Sequence, residues 1–186
     1  QVSVSGDLSA EQVAEVPTDE RNLVVKAAKV LGLVAGFDNA SPVAFEIEKH
    51  VPVAGGMGGG SADAAAALVA VNDLWCIGLS PEAKGRLAAG LGADVPFALA
   101  GGAAIGTGRG DQLEMQNDFA ETHWVLAKPG VGLSIPAVYR RLDEMREAAG
   151  VDLRADVQLG VPQALIDALR AGNPEAIAPL LKNDLE

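Results

Sequence analysis

The sequence predicts an α+β fold. Residues 2–5 and 43–48 alternate apolar and polar side chains, the two-residue period of a half-buried strand. Longer stretches rich in alanine, leucine and charged helix formers lie between and after them. Hydrophobic residues make up 49% of the 186 and aromatics only 4%, so the core these elements share is aliphatic. That length suits one large domain, or one domain with part of a second.

Taken in order, residues 2–5 form a strand that starts abruptly. Thr18 is placed to cap a helix running to about Leu31, with Asp19 and Glu20 suited to its first turn. The strand at 43–48 follows. Residues 61–75 are almost all Ala, Leu and Val, a helix buried on most sides. Residues 80–91 read as an amphipathic helix, broken at 92–96, with apolar character resuming at 97–99. Glycine pairs and triplets bracket a short strand at 103–105. The polar stretch 115–122 is the best candidate for a domain junction. Residues 123–127 read as a strand ended by Lys128, Pro129 and Gly130. Helices are expected at 134–148, with Pro136 in the first turn, and at 162–170 and 174–180.

Between the second strand and the apolar helix lies the most informative segment, Pro52-Val53-Ala54-Gly55-Gly56-Met57-Gly58-Gly59-Gly60-Ser61-Ala62-Asp63-Ala64-Ala65-Ala66. A glycine-rich loop empties directly into a helix former. Glycines accept positive φ and let a ligand approach the main chain. The helix start offers unpaired N–H groups and the positive end of its dipole, a site for an anion such as phosphate. Ser61 either caps the helix or reaches the anion with its hydroxyl. The alternative is a plain turn. A Walker loop is excluded, because no lysine accompanies Gly60 and Ser61, and a dinucleotide fingerprint would need glycine where Ser61 stands.

The formal net charge of −11 and the lack of any Lys/Arg cluster argue against nucleic acid as a partner. So acidic a chain has to bind phosphate through backbone N–H groups, a few placed cations and a metal ion arriving with the nucleotide. His50 and His123 stand apart without Cys or Asp spacing, so no protein-built metal site is expected. No apolar run reaches the ~18 residues of a membrane span, and no signal peptide is visible. A single cysteine, Cys76, suits a cytoplasmic protein and reads as a buried structural thiol. Asp94 stands in a short apolar run between a glycine turn and Pro96. It is either a turn former or a functional charge that orients or deprotonates a hydroxyl beside a phosphate loop.

These segments together resemble the GHMP kinases, the galactokinase, homoserine, mevalonate and phosphomevalonate kinase superfamily. The resemblance rests on Asp19-Glu20-Arg21-Asn22-Leu23, residues 51–66, Leu91-Gly92-Ala93-Asp94-Val95-Pro96-Phe97 and residues 131–139, in that order. Within the superfamily they look like the branch that phosphorylates a hydroxyl of a cytidine diphosphate-linked methylerythritol in the non-mevalonate route to isoprenoids. The resemblance implies an ATP-dependent kinase using ATP and Mg²⁺ on a small molecule, with a homodimer possible and neither nucleic acid nor membrane as partner. It implies an N-terminal ATP-binding domain of the ribosomal protein S5 domain 2-like type at 1–118 and the first part of a ferredoxin-like C-terminal domain at 119–186.

Carried over by position, Asp94 matches the catalytic aspartate that engages the substrate hydroxyl. Gly55, Gly56, Met57, Gly58, Gly59, Gly60 and Ser61 match the loop around the ATP phosphates. Asn22, Leu23 and Lys49 match positions lining adenine and ribose. Tyr139 matches an aromatic that stacks on cytosine. Without the family, Lys49 reads as a surface lysine and Tyr139 as a cover for a core edge. Met57, where the family often has leucine, conserves volume. The family's first strand with its catalytic lysine, its Gly-Tyr-His segment and its late third glycine motif have no match in these residues. The chain therefore reads as the middle of such an enzyme, and by itself is expected to be poorly soluble and inactive. Another superfamily kinase, of the homoserine or mevalonate type, or a non-catalytic nucleotide-binding remnant are the other readings.

Overall fold

Alternation becomes structure at both expected strands, β1 (Val2–Gly6) and β2 (Phe45–Lys49). In the computed structural model, which describes residues 1–36, 42–53, 55–127, 134–151, 160, 162–183 and 185, they pair in parallel. Val2 lies opposite Phe45, Val4 opposite Ile47 and Gly6 opposite Lys49. Parallel neighbours need a crossover, and helices α1 (Ala10–Ala14) and α2 (Leu23–Val34) lie on it. Gly6 has φ +143°, and a Cβ there would sit 2.0 Å from the Lys49 carbonyl oxygen. Only glycine lets the two strand ends approach so closely.

The cap of α2 is Asn22 rather than Thr18. The Asn22 side-chain oxygen accepts from the Val24 N–H at 3.0 Å, and its amide donates to the Pro17 carbonyl at 2.6 Å. Asp19 does not enter the helix. It closes a turn by accepting from the Arg21 N–H at 2.9 Å and pairs with the Arg21 guanidinium, which holds its carboxyl below the usual carboxylate range. With that turn made, the next side chain able to cap is Asn22.

Helix α3 (Gly59–Leu74) packs against α2, against α4 (Pro81–Leu91) and against the short α5 (Val95–Ala100). Ala64, Ala65, Leu68 and Val71 of α3 are buried with Val24, Ala27 and Leu31 of α2, Ile47 of β2, Ala88 of α4 and Val95 of α5. The core is aliphatic, as the composition requires. Ser80 caps α4, its hydroxyl accepting from the Ala83 N–H, with Pro81 at the first helical position. The break after α4 is shorter than expected. Gly92 ends α4 and Val95 already begins α5, whose first turn tolerates Pro96.

A hairpin of β3 (Ala104–Thr107) and β4 (Gln112–Met115) forms a second sheet. The expected strand at 103–105 is its first member. The second was legible as the alternation Gln112-Leu113-Glu114-Met115. Two departures concern single segments. Cys76, expected buried, is exposed with φ +52°, because the chain leaves α3 at Trp75 and turns there. Residues 123–127 have strand composition but are irregular, with Val125 99% exposed. A strand needs a neighbour, and no described strand pairs with this one.

The chain divides into two compact units, Gln1–Glu114 and Met115–Glu186. The second contains α6 (Ile135–Ala148), α7 (Gln163–Ala171), α8 (Pro174–Ile177) and a 3₁₀ turn at Ala178–Leu180. Within it α7 packs on α8, Ile166, Ala168 and Ile177 are buried, and Asn173 caps α8. The expected strand end at 128–130 lies outside the described residues. No helix among the described residues is long and apolar enough to cross a membrane.

Candidate functional site

The site is built where β2, α2 and α3 meet around the glycine loop. Gly56 and Gly58 have φ +67° and +66°, and a Cβ at either position would meet nothing within 4 Å. These glycines are required by the backbone, not by crowding. Gly58 is the N-cap of α3, and its carbonyl accepts from the Ala62 N–H at 2.9 Å, the first bond of the helix. The N–H groups of Gly59, Gly60 and Ser61 therefore precede the ladder, at the positive end of a helix of 16 residues. The helix starts two residues before the expected Ser61. Ser61 thus sits in the first turn and is not the cap.

Lys49 lies behind this turn. Its side chain is on the inward register of β2, with Phe45 and Ile47, and the residue is only 6% exposed. Its Nζ donates to Oδ2 of Asp63 at 2.9 Å. A Cβ added to Gly59 would lie 3.1 Å from that Nζ and 3.5 Å from Val51 Cβ. Glycine at 59 is what lets the ammonium rest against the helix start. At Gly60 an added Cβ would come within 3.9 Å of Leu23 Cδ1, so the beginnings of α2 and α3 are adjacent. Asn22, one residue before Leu23, is buried as the α2 cap. The structure thus brings together Asn22, Leu23, Lys49, Gly59 and Gly60. Gly55 and Met57 are exposed on the loop.

Asp94 caps the start of α5 by position, with its carbonyl accepting from the Ala98 N–H. Its carboxylate makes no capping bond and faces solvent, while the adjoining Val95 and Pro96 are buried. The backbone is thus held by the core and the charge is left available. Tyr139 belongs to the second unit, on α6, and is 52% exposed. No group of three or more His, Cys, Asp or Glu side chains suited to a metal occurs among the described residues.

Asp63 was not singled out from sequence, nor was Lys49 except by resemblance. A signal existed for both. The run Phe45-Glu46-Ile47-Glu48-Lys49 alternates, and the alternation turns Lys49 inward. A buried lysine needs a carboxylate, and Asp63 is the single acid in the first half of an otherwise apolar helix. Chemically, the arrangement offers a row of N–H groups that precede the helical ladder, a helix dipole, a neutralised cation behind them and open space around Gly56 and Gly58. These are the properties of a cradle for a polyanion.

Residues 22–102 match the family described as GHMP kinases N terminal domain. Over its full length the chain is 50% identical to the 4-diphosphocytidyl-2-C-methyl-D-erythritol kinase of Pseudarthrobacter chlorophenolicus, covering 57% of that protein. It is 52% identical to the kinase of the same name from Nocardia farcinica over 179 residues, 96% of this chain and 56% of the relative. To that of Leifsonia xyli it is 49% identical over 186 residues, covering 60% of the relative. The chain therefore spans a little over half the length of these curated relatives. Among solved structures, a crystal structure of 4-(cytidine 5'-diphospho)-2C-methyl-D-erythritol kinase superposes with a TM-score of 0.56 at 28% identity, over 92% of this chain and 55% of the other.

Gly58 is the position where the loop geometry is most open to test. Replacing it by alanine forces a side chain into the left-handed region and should cost about 1–2 kcal/mol, and Gly58→Asn should recover part of the loss. Denaturant unfolding of the three proteins measures both. Equal stabilities for glycine and alanine at 58 would refute the positive φ.

Proposed function

We propose that the chain is a GHMP kinase, as its match to that family over residues 22–102 and its kinase relatives support, and that it is the nucleotide-handling part of an ATP-dependent enzyme. Its substrate is 4-diphosphocytidyl-2-C-methyl-D-erythritol, phosphorylated on a hydroxyl in the non-mevalonate route to isoprenoids. The observation that carries this reading is the glycine loop opening into α3 with the N–H groups of Gly59, Gly60 and Ser61 unclaimed by the helix. Residues 1–118 form the N-terminal ATP-binding domain and residues 119–186 the first part of the C-terminal domain. The enzyme works in the cytoplasm.

In this reading the β and γ phosphates of ATP lie against the loop from Gly55 to Ser61, Met57 included. Asn22, Leu23 and Lys49 line the adenine and ribose. Asp94 orients the substrate hydroxyl and accepts its proton as the oxygen bonds to the γ phosphorus and the β–γ bridging bond breaks. The products are ADP and a phosphate monoester. An exposed carboxylate on a backbone anchored by Val95 and Pro96 supports that role, since it is both available and fixed. Tyr139 stacks on the cytosine, and its half-exposed ring supports this. Mg²⁺ bound with the nucleotide would supply charge neutralisation at the phosphates. Catalysis is then mostly positioning and charge stabilisation.

Assaying the complete protein with ATP against the diphosphocytidyl alcohol, homoserine and mevalonate tests the reading. Transfer to the first alone is expected, and transfer to either of the others instead would replace it. In the same protein Asp94→Asn should lower kcat by about two orders of magnitude or more, with ATP affinity little changed. A near-normal kcat removes Asp94 from the reaction. Losing a stacking ring is worth roughly 1–3 kcal/mol, so Tyr139→Ala should raise the substrate KM about tenfold or more while Tyr139→Phe stays close to wild type. Unchanged KM in Tyr139→Ala would remove the ring from the substrate site.

A further inference from the structure

We propose that Asp63 is a positioning residue: it holds the Lys49 ammonium against the first turn of α3 and so fixes the N–H groups that the loop presents to an anion. The proposal rests on the kinase reading only for the identity of that anion.

Lys49 is held at both ends. Its backbone is gripped by β1, where Gly6 comes so close that a Cβ would overlap the Lys49 carbonyl. Its ammonium is held by Asp63, across 14 residues of sequence, at 2.9 Å. Between these anchors the side chain is buried. A buried ammonium without a partner is costly, and removing one member of such a pair leaves the other uncompensated. Asp63 stands one turn inside α3, where a carboxylate also meets the positive end of the helix dipole.

The consequence for the loop follows from Gly59. Its missing Cβ leaves a gap that the Lys49 Nζ closes to 3.1 Å. The ammonium is therefore packed on the backbone whose N–H groups form the cradle. If Nζ moves, either Gly59 or the lysine has to find a new place. Asp63 decides which. With the carboxylate in position the ammonium is neutralised and stationary, and the N–H groups keep their orientation before any ligand arrives. Without it, the ammonium loses the acceptor that holds it against the first turn of α3. A site prepared in advance binds more tightly than one assembled on binding.

The complete protein tests this with Asp63→Ala, Asp63→Asn, Lys49→Met and the double variant Asp63→Ala/Lys49→Met. Amide hydrogen exchange reads the clamp without nucleotide. In Asp63→Ala, exchange at Ala62, whose N–H closes the first turn on the Gly58 carbonyl, should quicken while Leu68 and Val71 keep their protection. Steady-state kinetics read the consequence. The KM for ATP should rise on the order of tenfold, as for other supporting-shell residues, with kcat at saturating ATP nearly unchanged. Asparagine keeps an acceptor in place and should recover most of the loss. Asp63→Ala should add nothing on the Lys49→Met background. Unchanged exchange at Ala62, or an undiminished Asp63→Ala effect in the double variant, overturns the proposal. A wild-type protein that binds no ATP would end the kinase reading, and the exchange data would still decide the clamp.

Discussion

A lysine ammonium taken out of water at the end of β2 has to be neutralised, and the glycine-loop site depends on how this is done. Asp63 reaches back from the first turns of α3 to do it. The pair joins strand to helix at the point where the loop between them must be free to bend. A side chain at 59 would press on the ammonium, since a Cβ there would lie 3.1 Å from its nitrogen. The same ion pair compensates the burial of Lys49 and ties the end of β2 to α3. Such a pair is a weak source of net stability. Its value lies in orientation.

The other elements serve the same end. α3 is anchored along its apolar face by α2, α4 and α5, so its first turn is presented by a rigid body. α2 begins beside it, capped by Asn22 on both its acceptor and its donor. α5 leaves the core through Val95 and Pro96 and carries Asp94 at its exposed start. α3 and α5 bring their starts to the surface, whereas the cap of α2 is buried. The site is made of helix ends with few charged side chains, in a chain of net charge −11.

Much of this was legible in the residues. Periodicity located β1, β2, α3, α4 and α6 to within a few residues, because each has a clear apolar pattern. The glycines before Ala62 announced the loop. What escaped were features set by competition. Thr18 and Asn22 both can cap, and the Asp19–Arg21 turn decided for Asn22. Ser61 looks like a cap, yet Gly58 takes that place because it alone accepts the left-handed conformation there. Residues 123–127 carry the alternation of a strand, but alternation does not supply a partner. Asp63 was invisible for another reason. An acid near a helix start is ordinarily solvated, and only the inward register of Lys49, read across the loop, gives it a role.

The most direct measurement is a crystal structure of the complete protein with a non-hydrolysable ATP analogue. The β and γ phosphate oxygens should lie within hydrogen-bonding distance, about 2.7–3.2 Å, of the N–H groups of Gly59, Gly60 and Ser61, with the Lys49–Asp63 pair intact behind them. Phosphates bound away from the loop, or reached only after Lys49 has left Asp63, would contradict a preformed cradle.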